Sequence, residues 1–163
     1  MIALLSDSHN NVESVRTAVE LIRARSVTEV IHCGDIVAPA MLDYFAGLPM
    51  HFIFGNNETE LDEINLNAQR LGFPPVDDEL ELVIEGKKCF VYHGTRDIYL
   101  VENIVRGGYD FVFHGHTHRM RNERIGTTQV VNPGALYRAS TYSIAFVEPK
   151  TGDVEFAQLP PAI

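Results

Sequence analysis

Five short apolar runs, each finishing in a cluster of small polar and ligating residues, constrain this chain more than any other feature. Residues 2–6 end in Asp7-Ser8-His9, residues 29–32 in Cys33-Gly34-Asp35, and residues 50–54 in Gly55-Asn56-Asn57-Glu58. Residues 88–92 run into His93-Gly94, and residues 110–114 into Gly115-His116-Thr117-His118. Runs this short, closed by turn residues, predict buried strands. Helical patterns lie between the first three. Val12, Val15, Val19 and Ile22 follow the capping residues Asn10 and Asn11 at helical spacing, residues 40–46 are helical in character, and residues 58–70 read as a polar helix. Strand-helix alternation gives a parallel sheet with helices outside. In open sheets of that kind ligands bind beyond the carboxyl ends of the strands, where the five clusters would converge.

The second half changes character. Residues 80–84 and 88–92 flank Glu85-Gly86, a hairpin signal, and a helix is predicted near 98–106. Strands at 128–131, 143–147 and 154–157 follow, with turns at Gly126 and Lys150-Thr151-Gly152. The expected architecture is α/β, with two sheets packed face to face and helices outside. Pro74-Pro75 marks a loop and Pro160-Pro161 the C-terminal end, with no repeat or linker between, so residues 1–163 are expected to form one domain.

Composition narrows the functional classes. No segment approaches the ~20 apolar residues of a membrane span. The opening MIALLS lacks a basic n-region and reads as a first strand rather than a leader. Cys33 and Cys89 stand far apart with no CxxC spacing, which argues against a disulfide framework or a thiolate zinc site and for a reducing, cytoplasmic setting. A net charge of −9 lacks the basic face that an extended nucleic-acid footprint needs. A small phosphate ester is still compatible, because a bound metal reverses the local field.

Carboxylate, imidazole and amide together are the donor set of first-row divalent metals. A glycine accompanies four of the five clusters, which allows the close backbone approach that crowded ligands require. His32 and His51 read as strand residues with local partners, His114 as a core or supporting histidine, and Cys33 as a small buried hydrophobe. Arg96 and Arg119 follow the clusters closely, within reach of a substrate phosphate, though most exposed arginines only solvate a surface. Asn132 reads first as an Asn-Pro turn and second as support for the site residues.

In order, the motifs D-x-H, G-D, G-N, H-G and G-H-x-H resemble the calcineurin-like metallophosphoesterase superfamily, and most of all its small single-domain bacterial and archaeal phosphodiesterases. The resemblance covers nearly the whole chain and extends to Asn132-Pro133-Gly134. It implies a four-layer αββα sandwich of two mixed sheets and a site for two divalent ions. By that resemblance Asp7, His9 and His118 hold one ion, Asn56, His93 and His116 hold the other, and Asp35 bridges both. The ions implied are Mn²⁺, Fe, Ni²⁺ or Zn²⁺ rather than Mg²⁺, because four of the seven ligands are imidazoles, with Mn²⁺ favoured for activity. The implied reaction is hydrolysis of a small phosphoester, a diester before a monoester, by a metal-bridging hydroxide.

One position departs from the family. Where its small members commonly read G-N-H-D or G-N-C-D, this chain reads Gly55-Asn56-Asn57-Glu58. The usual histidine stabilises the transition state and can protonate the leaving alcohol, whereas Asn57 donates a hydrogen bond but has no proton to transfer. Two rival readings follow. A retromer subunit that resembles these phosphodiesterases serves as an interaction platform, so a catalytically weak, metal-binding scaffold is one. A phosphomonoesterase or nuclease is the other. A homo-oligomer is compatible with this reading.

Overall fold

A computed structural model of the chain describes residues 1–160; Pro161, the second residue of the terminal Pro-Pro pair, lies outside the described residues. The elements in chain order begin with β1 (Ile2–Leu5), α1 (Val12–Arg23), β2 (Glu29–His32), a 3-10 helix (Pro39–Phe45), β3 (Met50–Phe52) and α2 (Leu61–Leu71). They continue with β4 (Glu79–Ile84), β5 (Lys87–Tyr92), α3 (Asp97–Arg106), β6 (Phe111–Phe113) and β7 (Met120–Ile125). The last three are β8 (Thr128–Pro133), β9 (Ser143–Glu148) and β10 (Asp153–Gln158).

Two five-stranded mixed sheets result, ordered β10-β9-β1-β2-β3 and β4-β5-β6-β8-β7. In the first, β1, β2 and β3 are parallel and β9 joins β1 antiparallel. In the second, β5, β6 and β8 are parallel, with β4 and β7 antiparallel at the edges. Successive side chains of a strand point to opposite faces, and β1 uses both. Ile2 and Leu4 face the other sheet, alongside Ile31, Val91, Phe113 and Val131. Ala3 and Leu5 face Val15, Ala18 and Ile22 of α1 and Ile64 and Ala68 of α2. A third cluster packs Leu100 and Ile104 of α3 on Phe90, Val112 and Val130 of the second sheet. Three apolar interfaces between four layers make the expected αββα sandwich. Each fully buried Leu, Ile, Val or Phe stabilises it by ~1.5–3 kcal/mol.

The structure departs from the sequence reading at three places. Strand β7 was not expected. Its sequence, MRNERI, has no apolar alternation because it is a solvated edge strand, stabilised by its ladder to β8 and by polar pairs such as Arg124 with Gln129. The helical segment expected at 40–46 is a 3-10 helix led by Pro39. The helix expected at 58–70 begins only at Leu61, because Glu58 is held by the loops around the site.

Candidate active site

The five clusters meet at one end of the sandwich, in the loops that leave β1, β2, β3, β5 and β6. Crowding them there bends the backbone. Asp7, His9, Asp35, His116 and His118 have φ of 53°, 40°, 59°, 67° and 55°. Each such non-glycine residue costs about 1–2 kcal/mol. Backbone hydrogen bonds between neighbouring loops hold them there. The amides of Asp7 and His9 donate to the carbonyls of Gly34 and Asp35, and that of Gly115 donates to His93, each at 3.0 Å. Two glycines are required by close approach. A Cβ on Gly55 would run into Oδ1 of Asp35, and one on Gly115 into Oγ of Ser6, with Asp7 Oδ2 only 2.8 Å away.

Five of the seven residues expected to hold metal, Asp7, His9, Asp35, His93 and His118, bring donor atoms close to one another. Oδ1 of Asp7 lies 3.2 Å from Nε2 of His118, 3.8 Å from Nε2 of His93 and 4.0 Å from Nε2 of His9. Oδ2 of Asp35 lies 3.2 Å from Nε2 of His9 and 3.4 Å from Nε2 of His93. The His116 ring packs edge-on to His93, centroids 5.1 Å apart, and Asn56 and His93 line one cleft. Two clusters have metal-binding geometry, Asp7-His9-His118 and Asp7-Asp35-His93. Asp7 belongs to both clusters, and Asp35 Oδ2 lies near a histidine of each.

Asp7 Oδ1, His9 Nε2 and His93 Nε2 are buried without a hydrogen-bond partner. Leaving such groups unpaired costs ~1–3 kcal/mol apiece and more when charged. Donor atoms at ~2.1 Å from a tetrahedral first-row ion stand ~3.4 Å apart, close to the separations here, so these residues fit a divalent metal. The imidazole tautomers fit as well. Nδ1 of His93 donates to the Cys33 carbonyl at 2.7 Å and Nδ1 of His118 to that of Arg138 at 3.3 Å. Both leave an Nε2 lone pair facing the carboxylates, the usual arrangement of a metal-binding histidine.

The electrostatics ask for positive charge. Burial alone would push the Asp35 carboxyl up, but the close His93 imidazole and two hydrogen bonds from Asn57 hold it well below the usual carboxylate range. Asn57 donates its backbone amide to Oδ1 at 3.0 Å and its side-chain amide to Oδ2 at 2.6 Å. For His93 burial works against the cation, yet Asp35, Asp7 and the Cys33 carbonyl raise its pKa.

Several supporting residues were missed or underrated in the sequence. Glu58 accepts the amides of Ile36 at 2.6 Å and Val37 at 3.2 Å through Oε1, and that of Gly55 at 2.7 Å through Oε2. It thereby fixes Val37 at φ 79°, an outlier for a β-branched residue. Its sequence position, just before a helical pattern, gave no sign of this. Glu58→Ala should lower stability by ~2–4 kcal/mol, since hydrogen bonds to a charged acceptor are the strong class; urea unfolding measures it. Asn132 is a tie as well as a turn. Its buried amide donates to the Gly115 carbonyl at 2.8 Å and to Thr117 Oγ1 at 3.1 Å, which fixes the GHTH loop. The Tyr137 ring lies 5.1 Å from the His9 ring, tilted by 35°; only turn residues mark its segment in the sequence.

The remaining histidines have local partners. His51 pairs with Glu29 of β2 at 2.8 Å, and His32 with Ser8 Oγ at 3.0 Å. His114 is 2% exposed, bonded through Nδ1 to the Gly115 carbonyl and through Nε2 to Arg121. Burial, helped by the nearby His93, pushes the His32 pKa from 6.5 down to about 3. Above pH 6.5 His32 is neutral in both folded and unfolded chains, and its contribution to stability is complete. Between 6.5 and about 3 only the unfolded chain takes up the proton, so stability falls with pH by ~1.4 kcal/mol per unit. His32→Gln should remove one proton's worth of that slope in urea midpoints measured from pH 7 to 4.

A family model, the calcineurin-like phosphoesterase superfamily domain, matches residues 1–152. The chain belongs to the calcineurin-like phosphoesterase superfamily. Phosphoester hydrolysis is the activity that this family and fold support. The chain is 32% identical over 140 residues to the phosphodiesterase MJ0936 of Methanocaldococcus jannaschii, covering 82% of each. It superposes on the structure of a novel archaeal phosphodiesterase with a TM-score of 0.90 at 29% identity, over 97% of this chain and 99% of that one. Yfce, a phosphoesterase from E. coli, shares the fold at a TM-score of 0.66 and 16% identity, over 97% of each chain. Vps29 of Chaetomium thermophilum does so at 0.67 and 13%, over 97% of this chain and 96% of that one.

Proposed function

We propose that this superfamily member hydrolyses phosphodiesters at a pair of divalent metal ions held by Asp7, His9, Asp35, Asn56, His93, His116 and His118. The convergence of three buried, unpartnered donor atoms, on Asp7, His9 and His93, carries this reading. Asp7, His9 and His118 hold one ion; Asn56, His93 and His116 hold the other. Asp35 is the bridge, a role supported by its Oδ2 standing 3.2 Å from His9 and 3.4 Å from His93. Two bound ions supply a hydroxide for in-line attack at phosphorus and neutralise the phosphoryl oxygens.

The chain's own residues do the rest. Asp7 and Asp35 set the local charge so that two dications and a hydroxide leave a net positive site for a phosphate anion, within a protein of charge −9. The Cys33 and Arg138 carbonyls fix the orientation and tautomer of His93 and His118. Asn57 steadies Asp35 and presents an amide donor beside the reacting ester. With four imidazoles, the site suits Mn²⁺, Fe, Ni²⁺ or Zn²⁺, and Mn²⁺ is the activating ion we favour. A diester is favoured over a monoester because the 32%-identical relative is a phosphodiesterase. We further propose one domain acting in the cytoplasm, the setting favoured by two cysteines that stand free.

A panel of mono- and diesters screened across Mn²⁺, Fe²⁺, Ni²⁺, Zn²⁺ and Mg²⁺ tests the reading. Nitrophenyl diesters should turn over with Mn²⁺ and only weakly with Mg²⁺. Metal binding without turnover on any ester would leave the scaffold reading, and nicking of plasmid DNA would point to a nuclease.

A further inference from the structure

Beside Asn56 and His93 opens a cleft of about 740 Å³, lined also by Phe54 and Tyr92. Its other polar lining is Asp77, Asp78, Glu79, Thr95 and Arg96. His93 also stands 3.8 Å from Asp7 and 3.4 Å from Asp35, so the cleft borders the carboxylate-imidazole cluster. Asp77, Asp78 and Glu79 therefore share a cleft with the edge of the site.

These carboxylates are only partly neutralised from within. Glu79 accepts the Tyr99 hydroxyl, and Asp77 Oδ1 caps the Asp78 amide at 2.8 Å. The exposed carboxylate of Asp78 makes no ion pair among the described residues. The Arg96 guanidinium lies over the Tyr99 ring at 4.7 Å, with Nε 3.4 Å from the Tyr92 hydroxyl, and forms no salt bridge to Asp77, Asp78 or Glu79 among the described residues. The cleft thus carries three carboxylates and one guanidinium. A phosphodiester bound at the metal pair has two alcohol arms, and the one that enters this cleft meets acceptors and negative charge.

We infer that this cleft selects a phosphodiester arm that carries hydrogen-bond donors and no negative charge. Ammonium- or hydroxyl-bearing alcohols fit it, and alcohols with a second phosphate or a carboxylate do not. The inference rests on the proposed function and adds the class of substrate to it. Asp78 is the main discriminating residue, with Asp77 beside it.

The test uses the full-length, Mn²⁺-loaded protein and two 4-nitrophenyl phosphodiesters. Their second alcohols are matched in length, one ending in an ammonium group and the other in a carboxylate. The nitrophenolate leaving group is common to both, so a difference in kcat/KM reports the arm alone. Wild type should prefer the ammonium arm by roughly 10–100-fold, since opposite and like charges a few ångströms apart at a protein surface differ by that order. Asp78→Asn should reduce the preference about 3-fold and Asp78→Lys should abolish or reverse it. Asp78 is solvent-exposed, so neither change threatens folding. Dissociation constants of the two matching methylphosphonate monoesters should follow the same order, and they test the cleft whether or not the diesters are cleaved. Equal rates and equal affinities for the two arms in wild type would overturn the inference and leave the hydrolase intact. So would a preference unchanged in Asp78→Lys. Failure to cleave either diester, with the analogue preference kept, would overturn only the proposed reaction.

Discussion

Asp35→Asn should lose metal from both halves of the site and abolish turnover. The substitution keeps shape and removes charge. It also replaces the acceptor of the Asn57 amide with a group that has half the acceptor capacity. Oδ2 of Asp35 stands between His9 and His93, so its loss reaches both clusters at once. His118→Ala should behave differently, because His118 belongs to the Asp7-His9-His118 cluster alone, 3.2 Å from Asp7, and should mainly deplete one equivalent. Elemental analysis of the purified variants separates the two cases. The rate loss for Asp35→Asn should exceed 10³-fold, the order seen when a principal electrostatic group of an active site is removed. Retention of two full equivalents by Asp35→Asn would exclude it as the bridge.

The second large effect concerns Asn57. With no histidine there to protonate the departing alcohol, rate should depend steeply on leaving-group acidity. Nitrophenyl esters should react quickly and alkyl esters slowly, by the ~10²–10⁴-fold that general acid catalysis contributes. Asn57→His should raise activity on alkyl esters more than on nitrophenyl esters and leave metal content unchanged. A companion change of Glu58 to aspartate, which restores the family pattern in sequence, is counter-indicated by the structure. Glu58 reaches the amides of Ile36, Val37 and Gly55 together, and a shorter carboxylate would give up part of that clamp. A wild-type rate independent of leaving-group acidity would mean that another group supplies the proton. His114, the core or supporting histidine of the sequence reading, is ruled out by its place in the fold. It is buried, with both ring nitrogens engaged and its pKa pushed down to about 4, chiefly by burial.

What the sequence made legible follows from which signals are local. Runs buried on both faces, such as residues 2–5 and 111–113, can only be interior strands, and the polar clusters behind them mark where strands end. Asn11 caps α1 as expected, its side chain accepting the Ser14 amide. Glu85-Gly86 turns the β4–β5 hairpin with φ of 50° and 80°, the conformation a two-residue loop demands. Edge strand β7 escaped notice because its stability comes from ladder hydrogen bonds and long-range polar pairs, which leave no apolar period. Glu58 escaped in the same way, and the supporting role of Asn132 ranked behind its turn. Each acts on backbone groups of loops that are distant in sequence, 21 or 22 residues away for Glu58 and Ile36–Val37 and 17 away for Asn132 and Gly115. The D-x-H, G-D and G-H-x-H motifs carry the donor atoms, while the residues that aim those atoms are scattered.

The most direct measurement of the central claim is a titration of Mn²⁺ into metal-free protein, followed by hydrolysis of bis(4-nitrophenyl) phosphate at each point. Full activity should require two ions per chain, with little turnover at the first equivalent and a sharp break at the second. A break at one equivalent, or hydrolysis that proceeds unchanged without metal, would contradict a dinuclear phosphodiesterase.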